Sequence, residues 1–178
     1  IELLTGILFG VVAWQYGWTM VTFGGLILTA ILIALTFIDA DTQYLPDSLT
    51  LPLIWLGLLF NLNGTFVPLK SAVLGAVFGY MSLWLLCFIY KLLTGKIGMG
   101  NGDFKLLAAL GAWLGVGILP VLVFMAALIG LIGAIIGRVA KGQYFAFGPS
   151  LAIAGWIILV ANEPVHRAVT WWLTKSGF

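Results

Sequence analysis

The 178-residue chain is 62% hydrophobic and 8% charged, with a formal net charge of +2. Soluble domains carry roughly 25% charged residues, so this composition cannot clothe a water-facing surface, and a mean hydropathy of +1.16 points to an all-α integral membrane protein. The small charge, without any basic cluster interleaved with aromatics, excludes nucleic acid as a partner, and one Cys with one His excludes a zinc site.

Leu3 to Tyr16 predicts a first span, with Trp14, Tyr16 and Trp18 as an interfacial aromatic belt. Trp18 to Ile38 is the second span and ends at Asp39-Ala40-Asp41. Pro46-Asp47-Ser48 reads as a helix start, with Asp47 or Ser48 as its cap. Leu49 to about Leu62 is a short third span, closed by Asn61-Leu62-Asn63-Gly64, and Ser71 to Tyr90 is the fourth. The single Cys87 lies mid-span and reads as a small apolar filler.

A polar island follows, Gly98-Met99-Gly100-Asn101-Gly102-Asp103-Phe104-Lys105. Three glycines in five positions disfavour a helix interior by roughly 1 kcal/mol each and read as a loop that lets another backbone approach closely. Leu106 to Gly137 is uncharged and would be about 48 Å long as one helix, against a hydrocarbon core of about 30 Å. Gly115, Gly117 and Pro120 therefore divide it into a short fifth span and a sixth ending at Arg138. Lys141-Gly142-Gln143 is a turn, and Phe145 to Val160 is the seventh span. The tail, with His166, Arg167, Trp171, Trp172 and Lys175, suits an interfacial helix. Small residues at Gly75 to Gly79 and Gly130 to Gly137 mark faces for close helix contact, within the chain or between copies.

With about seven transmembrane helices, the loops after the second, fourth and sixth share one side. They carry Lys91, Lys96, Lys105, Arg138 and Lys141, against Lys70, Arg167 and Lys175 opposite. The more basic side is the cytoplasmic one. Four of the six acidic residues, Asp39, Asp41, Asp47 and Asp103, fall there in two windows. Ionisable residues at membrane depth are functional by default, although an interfacial Asp is far cheaper than a central one. Caps and solvated loop charges are the plain alternative. Two aspartates converging from separate helices suit an aspartic hydrolase, in which one carboxylate takes a proton from water and the other, protonated, donates to the carbonyl oxygen. No Ser-His-Asp or Cys-His set is available and no phosphate-binding loop is present.

Phe37-Ile38-Asp39-Ala40-Asp41 with Leu45-Pro46-Asp47, then Gly100-Asn101-Gly102-Asp103-Phe104-Lys105, then Phe147-Gly148-Pro149, resemble the type IV prepilin peptidases, membrane aspartic proteases of the GxGD class. The resemblance runs from about Glu2 to Ala154. It implies Asp39 and Asp103 as the catalytic pair, Gly100 and Gly102 as the loop where substrate backbone approaches, and no cofactor for proteolysis. Asp41 is the rival for the first role and Asp47 is better read as a cap. Lys105 would hold carboxylates or substrate, or snorkel to the interface. Substrates would be type IV prepilins and type II secretion pseudopilins, cut in the bacterial inner membrane at its cytoplasmic face. The chain would form one polytopic domain over residues 1–178, with the upstream CxxC and N-methyltransferase region of many family members absent from it. Alternatives are a GxGD protease cutting within transmembrane helices, or a non-enzymatic carrier using the same carboxylates. Because Asp103 starts a helix and Asp39 ends one, helix dipoles make Asp39 the expected proton carrier.

Overall fold

The computed structural model describes residues 1–95, 99–136 and 147–161. Among them the chain is all-helical, with α1 (Glu2–Tyr16), α2 (Met20–Thr42), α3 (Asp47–Phe60), α4 (Leu69–Thr94), α5 (Asn101–Leu114), α6 (Leu119–Ile136) and α7 (Gly148–Val160). Short 3-10 turns at Asn61–Asn63 and Val116–Ile118 lead out of α3 and into α6. Each apolar segment expected from sequence overlaps one of these helices within the described residues. Three segments, Met20–Thr42, Leu69–Thr94 and Val116–Ile135, are long and apolar enough to cross a membrane. The expected turn at 141–143, the aromatic-basic tail, and Gly98, Lys96 and Arg138 lie outside the described residues.

The short helix α5 organises the rest. Every residue of α5 from Asp103 to Leu114 except Lys105 is buried. It packs against α3, α4 and α7, so no face of it is free for solvent or lipid. Such a helix can be apolar throughout, and its neighbours must approach it closely. They do so at glycines. A Cβ at Gly75 on α4 would overlap the Gly111 carbonyl of α5, and one at Gly79 would lie 2.7 Å from the Leu107 carbonyl oxygen. The small-residue face at Gly75 to Gly79 is thus an internal contact, in which backbone meets backbone.

The far end of α5 is secured by polar groups. Asn61 is fully buried, and its Nδ2 donates to the carbonyls of Ala112 (2.9 Å) and Trp113 (3.3 Å). Its Oδ1 accepts from the backbone N–H groups of Phe66 (2.9 Å) and Val67 (3.0 Å). The last carbonyls of a helix have no partner within it, and here one amide side chain supplies two of them while fixing the approach to α4. Trp113 Nε1 donates to the Leu53 carbonyl at 2.9 Å, tying α5 to α3. Trp14 and Trp18 project outward as an interfacial pair would, but Tyr16 turns inward and donates to the Leu159 carbonyl.

Helix boundaries differ from expectation near the acidic windows. The second helix continues past Ile38 to Thr42, and its C-cap is Gln43 in the left-handed conformation (φ 53°), with its N–H on the Asp39 carbonyl at 2.9 Å. A non-glycine residue at positive φ carries strain of about 1 kcal/mol or more. Pro46 in extended conformation, rather than Asp47 or Ser48, is the N-cap of α3, and no side chain caps that helix. Pro46 needs no partner for an N–H it lacks, and Asp47 already lies in the first turn, where the helix dipole favours its negative charge.

The α4–α5 contact should be intolerant of one added carbon. Gly75→Ala is expected to cost about 1–3 kcal/mol, the range for forced overpacking. Gly10→Ala on α1, with nothing within 4 Å of the added carbon, should be neutral or gain roughly 0.5–1 kcal/mol from helix propensity. Thermal unfolding of both variants in detergent checks the difference.

Candidate active site

The two acidic windows meet at one end of the bundle. Asp39 sits one turn before the end of α2 with 4% of its surface exposed, and Asp103 sits in the first turn of α5 with 8% exposed. Asp41, two residues along the same helix, is exposed. This follows from helix geometry, since residues two apart point to different faces. The same extension of α2 that buries Asp39 therefore turns Asp41 outward.

The glycine island is only partly a loop. Gly100 is the extended N-cap of α5, and Asn101, Gly102 and Asp103 form its first turn. A glycine is tolerable there because the helix end is held by packing: Leu45 occupies the place of a Gly102 side chain, with its Cβ 2.7 Å from where a Cβ would lie. Among the described residues, the one heavy atom within 4 Å of where a Gly100 side chain would begin is Asp103 Oδ2, at 3.8 Å. Gly148, which opens α7, lies directly against the Asp39 carboxylate and Leu45. A side chain at Gly148 would collide with Oδ2 of Asp39. That oxygen is buried and has no hydrogen-bond partner among the described residues. Leu45 thus joins Asp39, Gly102 and Gly148 into one packed cluster, and the Phe147-Gly148-Pro149 segment serves it by approaching Asp39 closely.

Lys105 does not join the buried carboxylates. Its Nζ pairs with Asp47 Oδ1 at 2.6 Å, on side chains 23% and 50% exposed. A pair as exposed as this contributes about 0–1 kcal/mol and ties the starts of α3 and α5 together at the rim of the site. Asp47 is thus an ion-pair partner rather than a cap.

Asp103 and Asp39 act on each other electrostatically. Burial, and then the nearby Asp39 charge, push the Asp103 carboxyl up to about 7, while the Gly100 backbone N–H pulls the other way. The N-terminal dipole of α5 favours ionisation here, but burial and the like charge outweigh it. Helix position alone therefore does not assign the proton to Asp39. Like charges brought this close disfavour ionisation of both at once, so the Asp103 carboxyl keeps its proton well above the usual carboxylate range. No group of three or more His, Cys, Asp or Glu side chains that could hold a metal ion occurs among the described residues.

Sequence reasoning missed Gly148 as a neighbour of Asp39, Leu45 as the residue filling the place above Gly102, and Asn61 as an anchor. Phe147-Gly148-Pro149 carried the one signal, a glycine before a helix-initiating proline. Leu45 and Asn61 carry none, because their partners are remote in sequence.

The site is thus two buried carboxylates brought together from separate helices of an all-helical chain. The chain belongs to the type IV leader peptidase family, whose sequence signature matches residues 26–135. It is 76% identical over 174 residues to a prepilin leader peptidase/N-methyltransferase of Neisseria gonorrhoeae, covering 98% of this chain and 61% of that protein. Proteins of the same name from Aeromonas salmonicida and Pseudomonas aeruginosa are 53% and 49% identical, covering 98% and 100% of this chain and 60% and 62% of theirs. The chain thus spans about three fifths of the length of the curated relatives it matches. No solved structure matches it.

The raised Asp103 value has a consequence for folding. Between its ordinary value of about 3.9 and about 7, the folded protein holds a proton that the unfolded chain has released. Stability should therefore fall as pH rises across that interval, by at most about 1.4 kcal/mol per pH unit from this group, and level off above it. Asp103→Asn should flatten the slope, as read from unfolding free energies between pH 4 and pH 8.

Proposed function

We propose that this chain is the proteolytic part of a membrane aspartic endopeptidase that removes the leader peptides of type IV prepilins and type II secretion pseudopilins. The observation that supports this best is the pairing of Asp39 and Asp103, both buried and electrostatically coupled in a chain that is only 8% charged. The names of the relatives supply the substrate class. In this reading the seven helices cross the bacterial inner membrane and the Asp39–Asp103 end faces the cytoplasm. A basic leader lies against the acidic windows there, and the bilayer holds the apolar helix that follows it.

Hydrolysis needs one proton on the pair. The ionised carboxylate removes a proton from a water held between the two side chains. The hydroxide attacks the peptide carbonyl while the protonated carboxyl donates to its oxygen, and the proton later passes to the leaving nitrogen. Burial keeps that proton bound near pH 7, where a solvated aspartic acid would have lost it. Gly100, which has no side chain in the way, gives the peptide backbone its approach to Asp103. The residues present need no cofactor for this chemistry. N-methylation, the second activity named in the relatives, is not attributed to these residues.

Cleavage of a full-length prepilin by the purified protein in detergent or bilayer tests the reading. Asp39→Asn and Asp103→Asn should each reduce the rate by three orders of magnitude or more, while Asp41→Asn stays within a few-fold of wild type, with folding checked for all three. Full activity in both of the first two variants would return the carboxylates to a structural or ion-binding role. In wild type the rate should fall as pH rises beyond about 7, when the pair loses its proton. A pH–rate profile of the wild-type protein reads this directly.

A further inference from the structure

The Asp47–Lys105 pair takes no part in the hydrolytic step, yet it stands beside a residue that does. Lys105 lies two positions after Asp103 on α5, and Asp47, the first residue of α3, lies two positions after Leu45. Leu45 Cβ is 2.7 Å from the place of a Gly102 Cβ, one residue before Asp103, and Lys105 Nζ is 2.6 Å from Asp47 Oδ1. The run Leu45-Pro46-Asp47 therefore grips the first turns of α5 on both sides of Asp103. The same Leu45 also reaches the neighbour of the other carboxylate. Its Cδ1 is 3.1 Å from the place of a Gly148 Cβ, and Gly148 lies against Asp39. Pro46, with φ fixed by its ring at −69°, keeps the two grips at a set separation.

Helix α3 is a firm support for this grip. Its middle is tied to the last turn of α5 by the 2.9 Å hydrogen bond from Trp113 Nε1 to the Leu53 carbonyl, and Gly57 leaves room for the Trp113 ring. With that end fixed, the place of the first turn of α5 depends on what joins the starts of the two helices. Leu45 blocks movement towards it but does not resist withdrawal, because apolar contact has no direction. A charge-assisted hydrogen bond has both a direction and a length. Lys105, the one residue of α5 between Asp103 and Leu114 that is not buried, reaches Asp47 without opening the core.

We propose that Asp47 and Lys105 are positioning residues of the hydrolytic site: their ion pair, acting with Leu45, holds the start of α5 so that the Asp103 carboxyl keeps its place against Asp39. The inference rests on the peptidase reading and deepens it. The pair is weak as a contributor to stability, because both side chains are partly exposed. Reaction rate responds to displacement far more steeply, and a shift of about 1 Å in a reacting group can cost on the order of a hundredfold. A weak tie in the right place is therefore enough. Neither residue touches substrate in this account, so the effect falls on kcat.

Cleavage of a full-length prepilin by the purified protein tests this, with wild type, Asp47→Asn, Lys105→Met, the double variant and Lys105→Arg each checked for folding. Each neutral single variant should lower kcat by about tenfold, with KM within about twofold of wild type. The double variant should be no slower than the slower single one, since both changes remove the same tie. Lys105→Arg can still pair with Asp47 and should stay within about threefold of wild type. Losses that multiply in the double variant, or a kcat within about twofold of wild type in both singles, would overturn the positioning role. So would a KM that rises in Asp47→Asn and falls in Lys105→Met, the mark of a carboxylate that binds a basic substrate and a lysine that competes for it. Should Lys105→Met fail to fold, Lys105→Gln takes its place. If wild type cuts nothing, or Asp39→Asn and Asp103→Asn keep full activity, the peptidase reading itself falls and takes the positioning role with it, an outcome distinct from the others.

Discussion

The contact that everything else depends on is the one between the backbones of α4 and α5 at Gly75 and Gly111. A helix as short as α5 gains little from its own hydrogen bonds, because nucleation absorbs much of what propagation gives. Its existence follows from being enclosed. Enclosure on all sides leaves no room for a side chain at the closest crossing, and two facing glycines let dispersion contacts and backbone dipoles do the packing. Once α5 is seated this way, its first turn is delivered to the end of α2 and its last turn to the end of α3. The site is a by-product of how tightly the central helix is held.

A buried carboxylate is expensive unless paired or neutralised, and this protein keeps two of them together. The arrangement is destabilising as a fold. The packing returns little for Asp39: its buried Oδ2 has no hydrogen-bond partner among the described residues, and an apolar residue would be cheaper there. Sites where local consistency is broken without a structural gain are where function is expected. The strained Gln43 cap, one turn beyond Asp39, belongs to the same pattern. It reverses the chain so that Leu45 folds back between the two acidic segments.

Much of this was legible in the sequence because membrane proteins write their spans plainly. The seven helices and the break at Gly115 follow from runs of apolar residues and the glycines between them. Choosing Asp39 over Asp41 was not possible from composition, since it depended on whether α2 stopped at Ile38 or ran on to Thr42. Lipid and protein interior are both apolar, so periodicity does not reveal which face of a span is inward, and α5 was indistinguishable in kind from its neighbours. The roles of Leu45, Gly148 and Asn61 depend on partners brought near only by folding. Lys105 illustrates the same limit from the polar side: a lysine two residues after Asp103 invites a catalytic reading, yet its carboxylate partner comes from α3.

The clamp at Asn61 makes α5 a beam fixed at one end. Its final carbonyls, the Trp113 indole and the chain entering α4 are bound there by a side chain that is itself fully enclosed. Among the described residues, the opposite end rests on Leu45 packing and the partly exposed Lys105–Asp47 ion pair. Opening fluctuations should accordingly grow along the helix toward Gly100, and amide exchange should graduate from slow near Trp113 to fast near Asn101. Such a gradient would place the more compliant end of the helix beside the two carboxylates and the stiffer end at Asn61.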